Sequence, residues 1–170
     1  MSIDETSESE RWLVAHTRAR AEKQLVKWAT REGIAMELPY YRTSHRYRGK
    51  TVDFTKPLFP GYVFFRATGF VASKVAQSRH VAQILVPPDP VEFERQLRDI
   101  LAAVEAGLDV RPAADVVAGT RVSITDGPLR GMEGRVEKRD GPFDVILRLD
   151  FIGQAAAVRV PASEVERIDG

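Results

Sequence analysis

The chain has 170 residues, of which 44% are hydrophobic and 29% charged, with a net charge of +1 and no cysteine. That is enough for one medium domain or two small ones with ordinary cores, and no apolar run approaches a bilayer span. The lack of cysteine excludes a disulfide frame, a thiolate nucleophile and Cys-ligated zinc.

The near-neutral balance hides an asymmetry. Residues 1–10 are acidic and polar; they read as a disordered tail rather than a signal or transit peptide. Residues 11–56 carry eleven Lys/Arg against four Asp/Glu, so the N-terminal third is either a polyanion-binding surface or a solvated basic face. These features suit a cytoplasmic protein.

Along the chain, Trp12 to His16 reads as a short apolar strand. An amphipathic helix follows from about Arg20 to Glu32, with Ala21, Leu25, Trp28 and Ala29 at helical spacing and Gly33 as its stop. Met36 to Tyr41 looks extended, and Arg42 to Lys50 is a polar, acid-free loop with a turn at Gly49. Tyr62 to Phe65 is a buried strand after Pro60-Gly61, Val71 to Ser78 a short helix, and Ala82 to Val86 another strand. Asp89-Pro90-Val91-Glu92 is a capping box with proline at the first helical position; Phe93, Leu97, Ile100, Leu101 and Val104 then form one apolar stripe ending at Gly107. Leu108 to Ala118 lacks periodicity and reads as a linker. Beyond it the texture becomes short β segments between glycine turns at Asp126-Gly127-Pro128, Asp140-Gly141-Pro142 and Ile152-Gly153-Gln154: five strands in about fifty residues, a small β-barrel.

Enzyme chemistry is poorly provided for. His16, His45 and His80 sit at no metal-ligand spacing, and Gly127, Gly131 and Gly134 form neither a dinucleotide fingerprint nor a P-loop. No nucleophile elbow is present. The expectation is a non-enzyme without cofactor or metal.

Two segments carry a family resemblance. Lys56-Pro57-Leu58-Phe59-Pro60-Gly61-Tyr62-Val63-Phe64-Phe65 is similar to the signature of the NusG N-terminal (NGN) domain. Val122, Ile124, Gly127, Leu129, Gly131, Gly134 and Val136 fall as in a KOW motif, the opening hairpin of an SH3-like barrel. The resemblance implies an α+β protein: an antiparallel α/β sandwich over residues 11–107, a linker at 108–117 and a five-stranded KOW barrel over 118–170. Arg48-Gly49-Lys50, followed by the Pro57–Phe64 segment, resembles the specialised RfaH-type branch, the operon-specific antiterminators.

The implied function is a monomeric transcription elongation and antitermination factor, with no membrane role. It would dock on the clamp helices of RNA polymerase's largest subunit through His16, Phe59, Tyr62 and Phe64. Strand alternation puts Tyr62 and Phe64 on one face and Val63 and Phe65 on the other, so one pair is core. Arg18, Arg31, Arg48, Lys50, Ser78 and Arg79 match positions that meet the non-template DNA strand. Trp28, on the Arg31 side of its helix, is a stacking candidate, although periodicity alone assigns it to the apolar stripe. Val71-Ala72-Ser73 replaces a His-Thr-Thr run of RfaH, which argues against its second polymerase contact. The KOW partner loop is Phe151-Ile152-Gly153-Gln154; it fits a small-subunit ribosomal protein, and its missing arginine argues against Rho. The other reading is a general RNA- or ribosome-binding KOW module, which has no need of the Pro57–Phe65 segment. The glycines and prolines of residues 127–142 also predict a C-terminal domain that stays β and does not switch to helix.

Overall fold

The computed structural model describes residues 3, 4, 6, 8–113, 119–137 and 143–168. It contains two compact units, residues 1–90 and 91–170.

The first unit is built on a four-stranded antiparallel sheet in the order β2-β5-β1-β6, formed by β1 (Arg11–Thr17), β2 (Met36–Glu37), β5 (Tyr62–Ala67) and β6 (Val81–Leu85). Period-2 alternation gives β1 and β5 two different faces. Leu13 pairs with Phe65 and Ala15 with Val63; these residues form one core with Leu25 of α1 (Glu22–Arg31) and with Ala72 and Val75 of α2 (Gly69–Ala76). The other face carries Trp12 opposite Arg66, Val14 opposite Phe64 and His16 opposite Tyr62.

Three expectations need adjustment in this unit. Helix α1 starts at Glu22, because Arg20 sits at φ 58° and the left-handed backbone cannot be a helical turn. Residues 42–50 are not an irregular loop. They belong to a hairpin, β3 (Tyr40–Tyr47) with β4 (Lys50–Pro57), in register from Tyr40 opposite Pro57 to Tyr47 opposite Lys50. Its two-residue turn is Arg48-Gly49 at φ 48° and 78°, the backbone that matches strand twist in tight hairpins. In the expected tail, Ile3 packs against the core, and residues 1, 2, 5 and 7 lie outside the described set.

The second unit holds α3 (Pro90–Glu105) and a six-stranded antiparallel sheet in the order β12-β8-β9-β10-β11-β7. Five of its strands lie beyond residue 118, the number expected: β8 (Thr120–Ile124), β9 (Glu133–Glu137), β10 (Phe143–Leu149), β11 (Gln154–Val160) and β12 (Val165–Arg167), the last at a place no local pattern marked. Strand β12 pairs with β8, four strand spacings from β11. A flat sheet would put them about 19 Å apart. The connection from Val160 to Val165 includes a 3-10 turn at Ala162–Glu164, too short for that span, so the sheet must curl into a barrel.

The expected linker is partly a strand. β7 (Val110–Ala113) adds to the barrel edge, pairing Val110 with Val158 and Pro112 with Ala156. Proline is admissible there because an edge strand leaves one row of N–H positions unpaired. Residues 114–118 and the 140–142 turn lie outside the described residues. Helix α3, expected to close the first domain, groups with the barrel: the Gln96 side chain donates to Asp150 Oδ2 (2.7 Å) and accepts from the Asp150 N–H (2.9 Å).

Candidate functional site

The Phe59–Tyr62 segment is a tight turn. Pro60 sets φ at its second position and Gly61, at φ 87°, takes the left-handed third; the Tyr62 N–H closes it onto Phe59 O at 3.1 Å. Gly61 O accepts from the Thr17 N–H at 2.9 Å, which ties the turn to the end of β1. His16 is thereby held across from Tyr62, with the rings stacked at 5.1 Å and 18°, both half-buried. Phe59 and Phe64 pack edge to face at 6.0 Å but are only 1% and 0% exposed. Of the four residues grouped by sequence, His16 and Tyr62 present surface, while Phe59 and Phe64 are buried.

A second constellation lies between α1 and the α2–β6 connection. Trp28, Arg31, Ser78 and Arg79 line one open groove together with Glu32, Lys74, Gln77 and His80. Arg18 joins it indirectly: its Nε donates to Arg79 O at 3.1 Å, and its N–H to His80 O at 2.9 Å. Glu32 is neutralised by Lys74 at 2.7 Å, which leaves the Arg31 and Arg79 guanidinium groups as the exposed cations of a groove with one indole wall. That arrangement suits phosphate contacts beside a stacked base. Lys74 and His80 are additions no linear spacing announces, since the α2–β6 turn folds them there.

Arg48 and Lys50 are not part of that groove. They occupy the tip of the β3–β4 hairpin and are exposed. In the second unit, the expected partner loop is a 3-10 turn at Asp150–Ile152 followed by Gly153 in the left-handed region. It is not free: the Phe151 ring meets Phe93 of α3 edge to face at 5.8 Å, and Gln96 grips Asp150. The Gln96 amide, then Arg148, holds the Asp150 carboxyl below its ordinary range. Ile152 is half-buried and Gln154 begins β11.

Residues 10–102, more than half of the chain, match the family model described as NusG, transcription termination factor nusG. The chain belongs to the NusG family. Its curated NusG relatives include the transcription termination/antitermination protein NusG of Lactococcus lactis, 29% identical over 79% of this chain and 76% of that protein. The protein of the same name from Rickettsia typhi is 25% identical over 93% of this chain and 90% of that protein. Among solved structures, one titled crystal structure of MjSpt4:Spt5 complex conformation B covers 94% of the chain at 16% identity, with a TM-score of 0.27 that bears no weight.

The NusG match runs through most of α3, although by packing that helix sits with the barrel. In the second unit Val122, Ile124, Leu129 and Val136 are buried, and Gly127 and Gly131 have positive φ in the β8–β9 turn. Gly134 faces a different demand. A Cβ there would lie 2.7 Å from Val145 Cγ1 and 2.9 Å from Ile146 O on β10. Among the described residues no helix is long and apolar enough to cross a membrane, and no group of side chains is arranged to hold a metal.

Proposed function

We propose that this NusG-family chain is a transcription elongation and antitermination factor that docks on the clamp helices of RNA polymerase through the His16–Tyr62 face. The observation that carries this reading is the stacked pair itself: two half-exposed rings fixed by the Pro60-Gly61 turn on a rigid sheet. An anchored aromatic of this kind loses little entropy on binding and supplies the area expected of a hot spot. Phe59 and Phe64, packed edge to face and buried, belong to the core rather than to the docking surface. The groove of Arg31, Ser78 and Arg79, with Arg18 behind it, and the hairpin tip of Arg48 and Lys50 contact the non-template DNA strand. The tip and the loss of arginine at Gln154 favour an operon-specific, RfaH-like role. Once bound, the factor needs no covalent step: it shifts the population of polymerase from paused to active. The Phe151–Gln154 loop recruits a small-subunit ribosomal protein.

The test is capture of purified core polymerase and of ribosomal subunits by the full chain. Tyr62→Ala is expected to weaken polymerase capture by about 2 kcal/mol or more with an unchanged fold. Normal capture by that variant would overturn the His16–Tyr62 docking face, and capture of ribosomal subunits alone would replace this reading with that of a general ribosome-binding module.

A further inference from the structure

The β3–β4 hairpin pairs with no other strand among the described residues, and an isolated two-stranded ribbon is marginal in water. Its register sorts its side chains cleanly. Thr43, His45 and Tyr47 share a face with Phe54, Val52 and Lys50 opposite them. Three of these residues form a ring cluster: His45 to Phe54 at 5.5 Å, His45 to Tyr47 at 6.3 Å, and Tyr47 to Phe54 at 6.3 Å, edge on. Mutual packing accounts for the cluster as a clamp on the hairpin. It does not account for the exposure, since Tyr47 remains 57% and Phe54 38% open to solvent.

The charge around the rings is one-sided. Residues 40–57 hold five Lys/Arg and a single acid, Asp53, whose carboxylate already accepts from Ser44 Oγ at 2.6 Å. By register Lys50 and Lys56 share the ring face and Arg48 sits in the turn, while Arg42, Arg46 and Asp53 fall on the opposite face. An apolar face bordered by cations is complementary to a polyanion whose flat faces are exposed. Single-stranded nucleic acid has that chemistry; a duplex hides its base faces, and an acidic protein lacks them.

We propose that the aromatic face of this hairpin is a stacking platform for unpaired DNA bases, with Tyr47 and Phe54 taking the bases and Arg48 and Lys50 the adjoining phosphates. This rests on the reading that the hairpin tip meets the displaced DNA strand, and adds that the contact is made by ring faces as well as charge.

The experiment measures binding of the full chain to a fluorescein-labelled dT12 oligonucleotide by anisotropy across a salt series. Tyr47→Leu and Phe54→Leu are each expected to weaken binding about fivefold or more with the salt slope unchanged, because a stack is lost and no ion contact is. Tyr47→Phe keeps the ring and should bind like the parent, and amide spectra of the hairpin should match the parent in every variant. Arg48→Ala combined with Lys50→Ala should flatten the slope by about 1.4, at about 0.7 per cation on a single strand. If the leucine variants bind normally while the double alanine variant flattens the slope, stacking is wrong and the phosphate contact stands. If the double variant leaves the slope unchanged, the underlying DNA reading fails. Equal losses on a DNA duplex, or tighter binding of rU12 than of dT12, would also overturn the assignment.

Discussion

Tyr62 keeps part of its ring in solvent, whereas Phe59, three residues earlier, is enclosed and packed on Phe64. Alanine at the two positions should therefore separate binding from stability. Phe59→Ala removes a buried aromatic and should cost about 3–5 kcal/mol in a urea melt. Tyr62→Ala should cost far less in the same melt while losing polymerase capture. A similar result for both in the melt would mean that Tyr62 is core as well. In the barrel, Gly134→Ala forces a methyl against Val145 and the β10 backbone, and overpacking of that kind costs about 1–3 kcal/mol; a thermal melt within error of the parent would show that β9 and β10 can part locally. The 2%-exposed Asp144, between Arg111 at 3.3 Å and Arg159 at 3.6 Å, belongs to structure rather than chemistry, since both partners belong to β7 and β11.

Helix α3 and the Asp150–Gln154 loop are joined by a polar clasp whose strength depends on pH. Gln96, and then Arg148, lower the Asp150 pKa in the folded chain. A depressed carboxylate contributes stability above its unfolded value, near 3.8, and loses it as pH falls through the lower folded value. Asp99 on the same helix is shifted the other way by burial, so a bare pH profile mixes the two. The comparison that removes the clasp is parent against Gln96→Leu, which also takes away the 3.3 Å bond from Gln96 to Glu92. Their melting temperatures should differ above about pH 5, and the gap should narrow as pH falls below the ordinary Asp range. A gap of the same size at every pH would show that Gln96 acts through the Asp150 N–H and not through the carboxylate.

At the scale of the molecule, the C-terminal half is a β structure that should not convert to helix. Gly131 at φ 92° and Gly127-Pro128 lie within the turn that a helical hairpin would have to straighten. Each interior glycine would cost a helix about 1 kcal/mol and each proline about 3. Strand-type Cα shifts for residues 120–124, 133–137, 143–149 and 154–160 are expected by NMR in the full chain; helical shifts across 130–150 would overturn this. Because β7 covers the edge of β11, a fragment of residues 91–170 should melt higher than one of 118–170, which exposes that edge.

Local pattern alone was enough for the elements whose signals are local. The period-2 run of β5, the helical stripe of α3, and the glycine-punctuated strands of the barrel each follow from side-chain direction and backbone permissiveness over a few residues. The Pro57–Phe65 segment, which lies inside the matched residues 10–102, likewise carried the family. Pairing is not local, and that is where tertiary structure decided. Residues 42–50 look like a loop until β4 lies beside them, and Val110–Ala113 looks like a linker until the open edge of β11 takes it up. The same holds for the candidate site. Arg31 and Arg79 share a groove only because the turn after α2 returns to α1, and burial of Phe59 against exposure of Tyr62 depends on neighbours distant in the chain. Periodicity says which side chains share a face; only the packed chain says what covers that face.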